Sequence, residues 1–266
     1  MSSPLINHET RTPHSPDHDL QIALLFDHES DLRPPPEYLL LLSNAPHHAT
    51  SRNESVRWIV NVAGLHGFRH MTAVLAVNYL DRFLASHGFP GRGWAFRLLS
   101  LACLSLAAKM EELHVPLIDE LQAFDPERVF HPGTVQRMEL CVLGTLKWRM
   151  KAITAFDFLF FFVSKHGDRV FEAASGLLLR SLHVIELLAF PPSTVAAGAI
   201  LIAGNGNGNA GTSLHKRVDF SAVRGCKEIL QKFHLDTASD SSTCNSDAFS
   251  SSNGNEEPLA KRRRSF

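Results

Sequence analysis

One apolar segment near the middle of the chain constrains the fold more than any other feature. From Phe96 to Ala108, ten of thirteen residues are apolar, and they point in every direction around a helix. A helix that is apolar on all sides must be covered by other elements, and this run is too short to span a bilayer. We therefore predict a central helix sheathed by others, with Lys109, Glu111 and Glu112 where it emerges.

The bulk composition narrows the class of protein. The chain has 266 residues, a formal net charge of −1 and 44% hydrophobic residues. It can therefore bury a core, and its charge balance indicates neither nucleic acid nor membrane as a partner.

The four cysteines lack metal-ligand spacing, which is typical of a reduced intracellular chain. No apolar leader follows Met1, so we expect no signal peptide. The scattered histidines favour no metal site, and we expect no cofactor.

Proline, glycine and polar stretches divide the chain into four parts. We predict a disordered N-terminal segment over residues 1–36 and a helical domain over 37–152 that begins with a short helix. A second helical domain follows over 153–235, and a disordered tail with a basic cluster over 236–266. The first domain shows five helices in about a hundred residues, and strands with period-two alternation are scarce. These patterns predict an all-α protein.

The second domain is expected to have a central helix of its own. Residues 195–202 are apolar on all sides, like the first central helix, and one long helix is predicted over 169–189. The stretch from Gly206 to Gly211 matches the pattern G-x-G-x-x-G. A dinucleotide site needs a strand before this pattern and an acidic residue about twenty positions after it. Both are lacking here, so we interpret the stretch as a flexible loop rather than a nucleotide site.

Residues that could support catalysis are hard to find. The chain has no G-x-S-x-G elbow and no paired carboxylates in an apolar setting. Lys109 and Glu139 are the charges that stand out, because Lys109 ends the apolar helix and Glu139 lies within an otherwise apolar helix face. By pattern alone, a mutual salt bridge or a solvated edge is the commoner meaning of such charges.

Four ungapped segments resemble the cyclin box. Residues 76–84 (AVNYLDRFL) look like its second helix, and residues 104–112 (LSLAAKMEE) look like its third. Residues 136–143 and 146–150 look like its fifth helix and the exit from it. Together they are similar to plant D-type cyclins, closely over about 54–163 and more loosely through the second domain. The resemblance implies two tandem five-helix cyclin-box folds, of which the second is short and could lack a helix.

The resemblance also implies a function. It indicates a non-catalytic activating subunit of a cyclin-dependent serine/threonine kinase that controls cell-cycle entry at G1/S. A kinase is active only when its regulatory helix is in place, and a rigid partner that prefers this state shifts the equilibrium towards it. By family analogy, the kinase-binding residues are Lys109, Met110, Glu111, Glu139, Leu143, Trp148 and Met150.

The alternative is a cyclin-fold scaffold, or a transcription-factor-like binding module, that activates no kinase. Such a module needs a basic surface stripe to bind nucleic acid, and the body of the chain shows none. Family analogy also makes kinase inhibitor proteins possible further partners. We expect no nucleic acid and no membrane among the partners.

Two peptide-binding sites of the family have altered counterparts here. A substrate-docking patch would include Arg52 and Trp58, but serines stand where other cyclins have apolar residues. Plant D-type cyclins usually bind the retinoblastoma-related protein through Leu-x-Cys-x-Glu near the N-terminus. The corresponding residues are Leu24, Phe26, His28 and Glu29. Phenylalanine replaces the cysteine and the glutamate is displaced by one position, so we expect weak or no binding through this segment.

The chain carries a basic cluster near its C-terminus, formed by Lys261, Arg262, Arg263 and Arg264. Clusters of this kind are typical of nuclear localisation signals. We therefore expect the protein in the nucleus as well as in the cytoplasm.

Overall fold

The computed structural model describes residues 16–91, 93–123, 129–163, 168–204 and 215–243. Within these ranges the regular elements are all helices, as predicted, and no strand is found. They are α1 (Pro16–His28), α2 (Pro36–Asn44), α3 (Pro46–Leu65), α4 (His70–His87), α5 (Gly93–Glu111), α6 (Ile118–Gln122), α7 (Pro132–Thr145), α8 (Ala155–Val163), α9 (Asp168–Arg180), α10 (Pro192–Ala203) and α11 (Phe220–Thr243).

Helix α5 is the centre of the first half. It packs against α3, α4, α6 and α7, and its Leu99, Ala102, Cys103 and Leu104 are almost completely buried. By length and composition, it is the one helix among the described residues that could cross a membrane. However, 67% of its apolar window is buried inside the protein. Its apolar surface is therefore used as a core, which confirms the predicted central helix.

Helix α10 occupies the corresponding place in the second half. It packs against α8, α9 and α11, and its Ala196, Ala199 and Ile200 are fully buried. A Cβ atom on Gly198 would lie 3.3 Å from Leu230 Cδ1 and 3.4 Å from Cys226 Sγ. A small residue at this position lets α11 approach closely, and the prediction of a second central helix is confirmed.

Helix α1 lies within the N-terminal segment that was predicted to be disordered. Its Ile22 and Phe26 are buried in the core of the second half, and the rings of Phe26 and Phe158 lie 5.0 Å apart. After the helix, Glu29 accepts hydrogen bonds from the backbone nitrogen of Ser193 (2.9 Å) and from its Oγ (3.0 Å) at the start of α10. The expectation of disorder is therefore wrong for this helix, because packing against distant residues orders it.

The junction between the halves departs from the predicted long helix over 169–189. The chain forms α9 and then two 3₁₀ turns, Ser181–His183 and Ile185–Ala189, which lie against α3 and α2. Helix α11 also continues to Thr243, beyond the predicted start of the tail at 236. The glycine-rich stretch 206–211 lies outside the described residues.

A buried ion pair holds the junction together. Arg52 is fully buried, and its Nε and Nη2 each donate to the carboxylate of Asp81 at 2.8 Å. Its Nη1 donates to the carbonyl oxygen of Leu182 in the first 3₁₀ turn at 3.0 Å. The hydroxyl of Tyr38 also donates to Asp81 at 2.8 Å. Burial, followed by the charge of Asp81, raises the pKa of Tyr38 above its ordinary value. One network therefore joins α2, α3, α4 and the second half.

Candidate functional site

A groove of about 740 Å³ opens where α5 ends, and we call it the α5 groove. The C-terminal end of α5, the exit from α7 and the residues between α1 and α2 form its walls. It brings together five of the residues predicted to bind the kinase. They are Lys109, Met110, Leu143, Trp148 and Met150.

Lys109 and Glu139 form an ion pair beside this groove. Lys109 Nζ lies 2.7 Å from both carboxylate oxygens of Glu139. The Lys109 side chain is 45% exposed, whereas that of Glu139 is 8% exposed. An ammonium group has three donors and a carboxylate has about four acceptor positions. After the mutual contact, each side chain therefore retains capacity to bond the backbone of a partner.

The exposure of Lys109 limits what this ion pair contributes to stability. Pairs with one exposed member typically add no more than about 1 kcal/mol to the free energy of unfolding. The lysine also lies in the last turn of α5, where a cation is favoured by the helix dipole. The sequence pattern left open a mutual salt bridge or a solvated edge for these two charges, and the structure contains the mutual salt bridge. The same geometry leaves the pair accessible at the rim of the groove.

Trp148 projects into this surface from a strained turn. Lys147 and Trp148 have φ values of 52° and 59°, the left-handed region that residues other than glycine seldom occupy. The nitrogen of Trp148 donates to Leu143 O (2.9 Å) and that of Lys147 to Gly144 O (3.1 Å), which is the Schellman pattern of a helix end. This turn leaves the Trp148 side chain 68% exposed. An exposed tryptophan on a fixed backbone is a suitable anchor for a protein partner.

Helix α4 fixes the segment that follows Trp148. The hydroxyl of Tyr79 donates to Met150 O at 2.8 Å, and Nη1 of Arg82 donates to Arg149 O at 2.9 Å. Burial raises the pKa of Tyr79 above its ordinary value, so the hydroxyl remains a donor. Both residues lie in the segment 76–84 that resembles the cyclin box, but no role was predicted for either. The signal in the sequence was two long polar side chains among the apolar residues of α4.

Glu111 takes a different direction from its neighbours. Its carboxylate lies 3.4 Å from Arg69 Nη2 at the start of α4, and it is absent from the lining of the α5 groove. Burial raises the pKa of Glu111, and the nearby Arg69 opposes this effect. Glu112 accepts a hydrogen bond from the Arg69 nitrogen at 2.9 Å and another from the Thr72 hydroxyl. Glu111 therefore faces Arg69 rather than the α5 groove, and its kinase contact stays a prediction.

The wall opposite α7 was not predicted. His28, Asp31 and Leu32 line the α5 groove, and Asp31 lies 3.9 Å from Arg149 Nη2. Asn78 of α4 donates to Leu32 O at 3.0 Å, which anchors this segment. No local pattern could place these residues, because they come from a segment predicted to be disordered.

The structure corrects the assignment of Arg52 to a docking patch. Arg52 is only 1% exposed and is fully engaged at the junction, so a peptide cannot reach it. Six residues along a helix correspond to a rotation that leaves Arg52 and Trp58 about 120° apart. Trp58 instead lies under Arg97 of α5, with the guanidinium carbon 4.1 Å from the ring centroid. The two residues therefore do not form one surface.

The four residues of the altered retinoblastoma motif point in different directions. Leu24 is 49% exposed, whereas Phe26 is 9% exposed and packs in the second core. The ring nitrogen Nδ1 of His28 lies 3.1 Å from the Asp31 carboxylate, and Glu29 bonds the start of α10. They are consequently part of the fold. The basic cluster Lys261–Arg264 lies outside the described residues.

Comparison with known families agrees with this architecture. Residues 21–151 match the model of the cyclin N-terminal domain, and residues 153–257 match that of the cyclin C-terminal domain. This chain belongs to the cyclin family. The boundary between the two matches falls at the predicted start of the second domain, and the first match includes most of α1.

Similar cyclins occur in plants. Cyclin-D1-2 of Oryza sativa subsp. japonica is 44% identical over 169 residues, which cover 61% of this cyclin and 48% of the relative. Cyclin-D4-1 of Arabidopsis thaliana is 45% identical over 158 residues, covering 56% and 51%. The matched part thus spans about half the length of these relatives.

Solved structures share the fold at low sequence identity. A viral cyclin from herpesvirus saimiri has a TM-score of 0.55 and 19% identity, and the match covers 88% of this cyclin and 96% of the viral one. A chain in the crystal structure of the yeast RNA polymerase II CTD kinase complex has a TM-score of 0.60 and 12% identity, covering 78% and 74%. The family resemblance stated from sequence is confirmed.

Proposed function

We propose that this cyclin is the regulatory, non-catalytic subunit of a cyclin-dependent kinase and acts at entry into the cell cycle. The observation that carries the proposal is the α5 groove, where an accessible Lys109–Glu139 pair lies beside the exposed side chains of Met110 and Trp148. Its relatives are named as D-type cyclins, and one similar fold belongs to a kinase complex.

The physical argument concerns rigidity. Helix α5 is packed on all sides, and α4 bonds the segment that carries Met150. A partner helix that docks here meets a surface whose shape changes little, so binding energy is not lost in ordering the cyclin. Such a surface favours the kinase state whose regulatory helix matches it, and this shifts the kinase towards activity.

The decisive test is charge reversal at the groove. Lys109→Glu places a second carboxylate beside Glu139, and we expect the affinity for a recombinant cyclin-dependent kinase to fall by about a hundredfold or more. Kinase activity measured with the purified pair should fall in parallel. Lys232→Glu, on the exposed side of α11, is the matched control and should change neither quantity.

Circular dichroism of both variants separates a binding defect from unfolding. Unchanged kinase affinity of a folded Lys109→Glu variant would refute the assignment of this residue. Failure of the unmodified cyclin to bind or activate any cyclin-dependent kinase tested would favour the scaffold function.

We propose that the folded chain does not bind a retinoblastoma-related protein through Leu24–Glu29. Phe26 is buried and Glu29 is bonded to Ser193, so a partner could capture this segment only by unpacking α1. Titration of the intact cyclin with the pocket domain should show no submicromolar affinity. An isolated peptide of residues 18–34 is the control for binding that is hidden by the fold.

We propose that Lys261–Arg264 direct the protein to the nucleus. Four consecutive basic residues are the supporting observation. A fluorescent fusion should lose nuclear enrichment when all four are replaced by alanine. Retained enrichment would exclude this cluster as the signal.

A further inference from the structure

A second concave site lies at the junction of the two halves, and we call it the junction pocket. It has a volume of about 160 Å³ and is bounded by α4 on one side and by α9, α10 and the 3₁₀ turns on the other. Its lining includes Val74, Val77, Ile153, Phe156, Leu178 and Val195. Pockets at domain junctions are common ligand sites, and the proposed kinase contact does not use this one.

The chemistry of the lining defines what the pocket can hold. Of its charged side chains, Arg52 and Asp81 bond each other, and Arg33 uses one of its five donors, Nη2, to bond Leu188 O at 2.8 Å. Among its uncharged polar side chains, Asn78 donates to Leu32 O and the Ser181 hydroxyl donates to Leu178 O. A polar guest would gain few new hydrogen bonds and would lose its own water. The remaining surface is apolar.

The volume sets the size of the guest. A cavity of about 150 Å³ lined by apolar side chains holds one benzene molecule, and the junction pocket, which is open on one side, has a similar volume. We propose that the junction pocket binds an uncharged, apolar molecule or substituent of the size of one aromatic ring. The guest would touch Ile153, whose side chain also lines the α5 groove. The site therefore lies one residue away from the candidate kinase surface.

Benzene is the probe for this proposal. In buffer saturated with benzene, the thermal unfolding midpoint of the intact cyclin should rise by about 2 °C or more, because a ligand that binds only the folded state stabilises it. Benzylammonium at equal or higher concentration is the control, since its ring is the same size and its cation would lose its water beside the cationic Arg33 and Arg52. An equal effect of benzylammonium would overturn the apolar class of the guest.

Variants with a larger side chain in the pocket test whether benzene binds there. Val77→Phe fills it from α4, and Val195→Phe fills it from α10. Each should abolish the benzene-dependent rise in the midpoint. Should both variants fail to fold, methyl NMR of the unmodified cyclin gives the same answer: benzene should shift the methyl signals of Val77 and Val195 but not those of Val223, which is buried elsewhere in the second core. No rise in midpoint, or an equal rise in the filled variants, would refute the site.

Discussion

The two central helices have the same role in packing but carry charge at different places. Helix α5 has 19 residues, and its last turn carries Lys109 to the surface. Helix α10 has 12 residues and no charged side chain, and its first turn receives Glu29 from the end of α1. A cation at a helix C-terminus and an anion at an N-terminus are both favoured by the helix dipole.

The difference shows which core helix presents a charged group at the surface. Lys109 in the last turn of α5 is 45% exposed and pairs with Glu139 at the edge of a groove. At the N-terminus of α10, the backbone nitrogen and the hydroxyl of Ser193 both donate to Glu29 of the same chain. This end therefore presents no charged group comparable to Lys109. Packing alone therefore does not distinguish the two helices; the position of the terminal charge does.

The largest effects should come from truncating the two core helices. Leu104→Ala in α5 and Ile200→Ala in α10 each remove a fully buried side chain, and each should lower the free energy of unfolding by about 2–5 kcal/mol. Urea titration gives this cost. Kinase affinity, measured under conditions where both variants are folded, should fall more for Leu104→Ala. A larger loss of affinity for Ile200→Ala would reverse the functional ranking of the two helices.

A smaller effect is expected at the start of α10. Glu29→Ala removes two hydrogen bonds and a negative charge from the helix N-terminus, which should cost about 1–2 kcal/mol of unfolding free energy. Asp27→Ala breaks a pair between two partly exposed side chains, Asp27 and Arg217, and should cost less than about 1 kcal/mol. Chemical denaturation compares the two. Equal costs would mean that Glu29 does not stabilise α10.

Two serines of α5 test the burial of polar groups in the first core. The Ser105 hydroxyl is buried and has no hydrogen-bond partner among the residues that the structure describes, whereas the Ser100 hydroxyl donates to Phe96 O at 2.8 Å. Ser105→Ala should therefore leave stability unchanged or raise it by up to about 1 kcal/mol, and Ser100→Ala should lower it by about 0.5–1 kcal/mol. Thermal unfolding midpoints from calorimetry measure the stability change of each variant. A large loss for Ser105→Ala would indicate a bonding partner that this geometry does not provide.

The smallest effect is expected at the exit from α7. Lys147 has a left-handed backbone, which costs about 1–2 kcal/mol in residues other than glycine. Lys147→Gly relieves this strain but increases the entropy of the unfolded chain, for a net gain of about 0.5 kcal/mol. Lys151→Gly, where φ is not positive, should instead lose stability. Kinase affinity of Lys147→Gly should be unchanged if Trp148 keeps its orientation, and a clear loss would show that the lysine side chain itself binds.

The sequence predicted those parts of the fold whose signals are local. The all-round apolar runs identified α5 and α10. The failures concern segments stabilised by distant residues. Helix α1 has a weak apolar pattern and is ordered by Phe158, and the break after Arg180 allows Leu182 to meet Arg52. Arg52 itself was misread because its spacing from Trp58 says nothing about burial.

The placement of α1 has a consequence for synthesis of the protein. Its Phe26 packs among residues that extend to Leu230, so about 200 further residues must leave the ribosome before the helix finds its site. At roughly 5–20 residues per second, this interval lasts about 10–40 s. During that time Phe26 and Ile22 lack their native cover, while the first half can already fold around α5. This early helix is therefore among the last to be placed, and chaperones that bind exposed apolar side chains should meet it in the nascent chain.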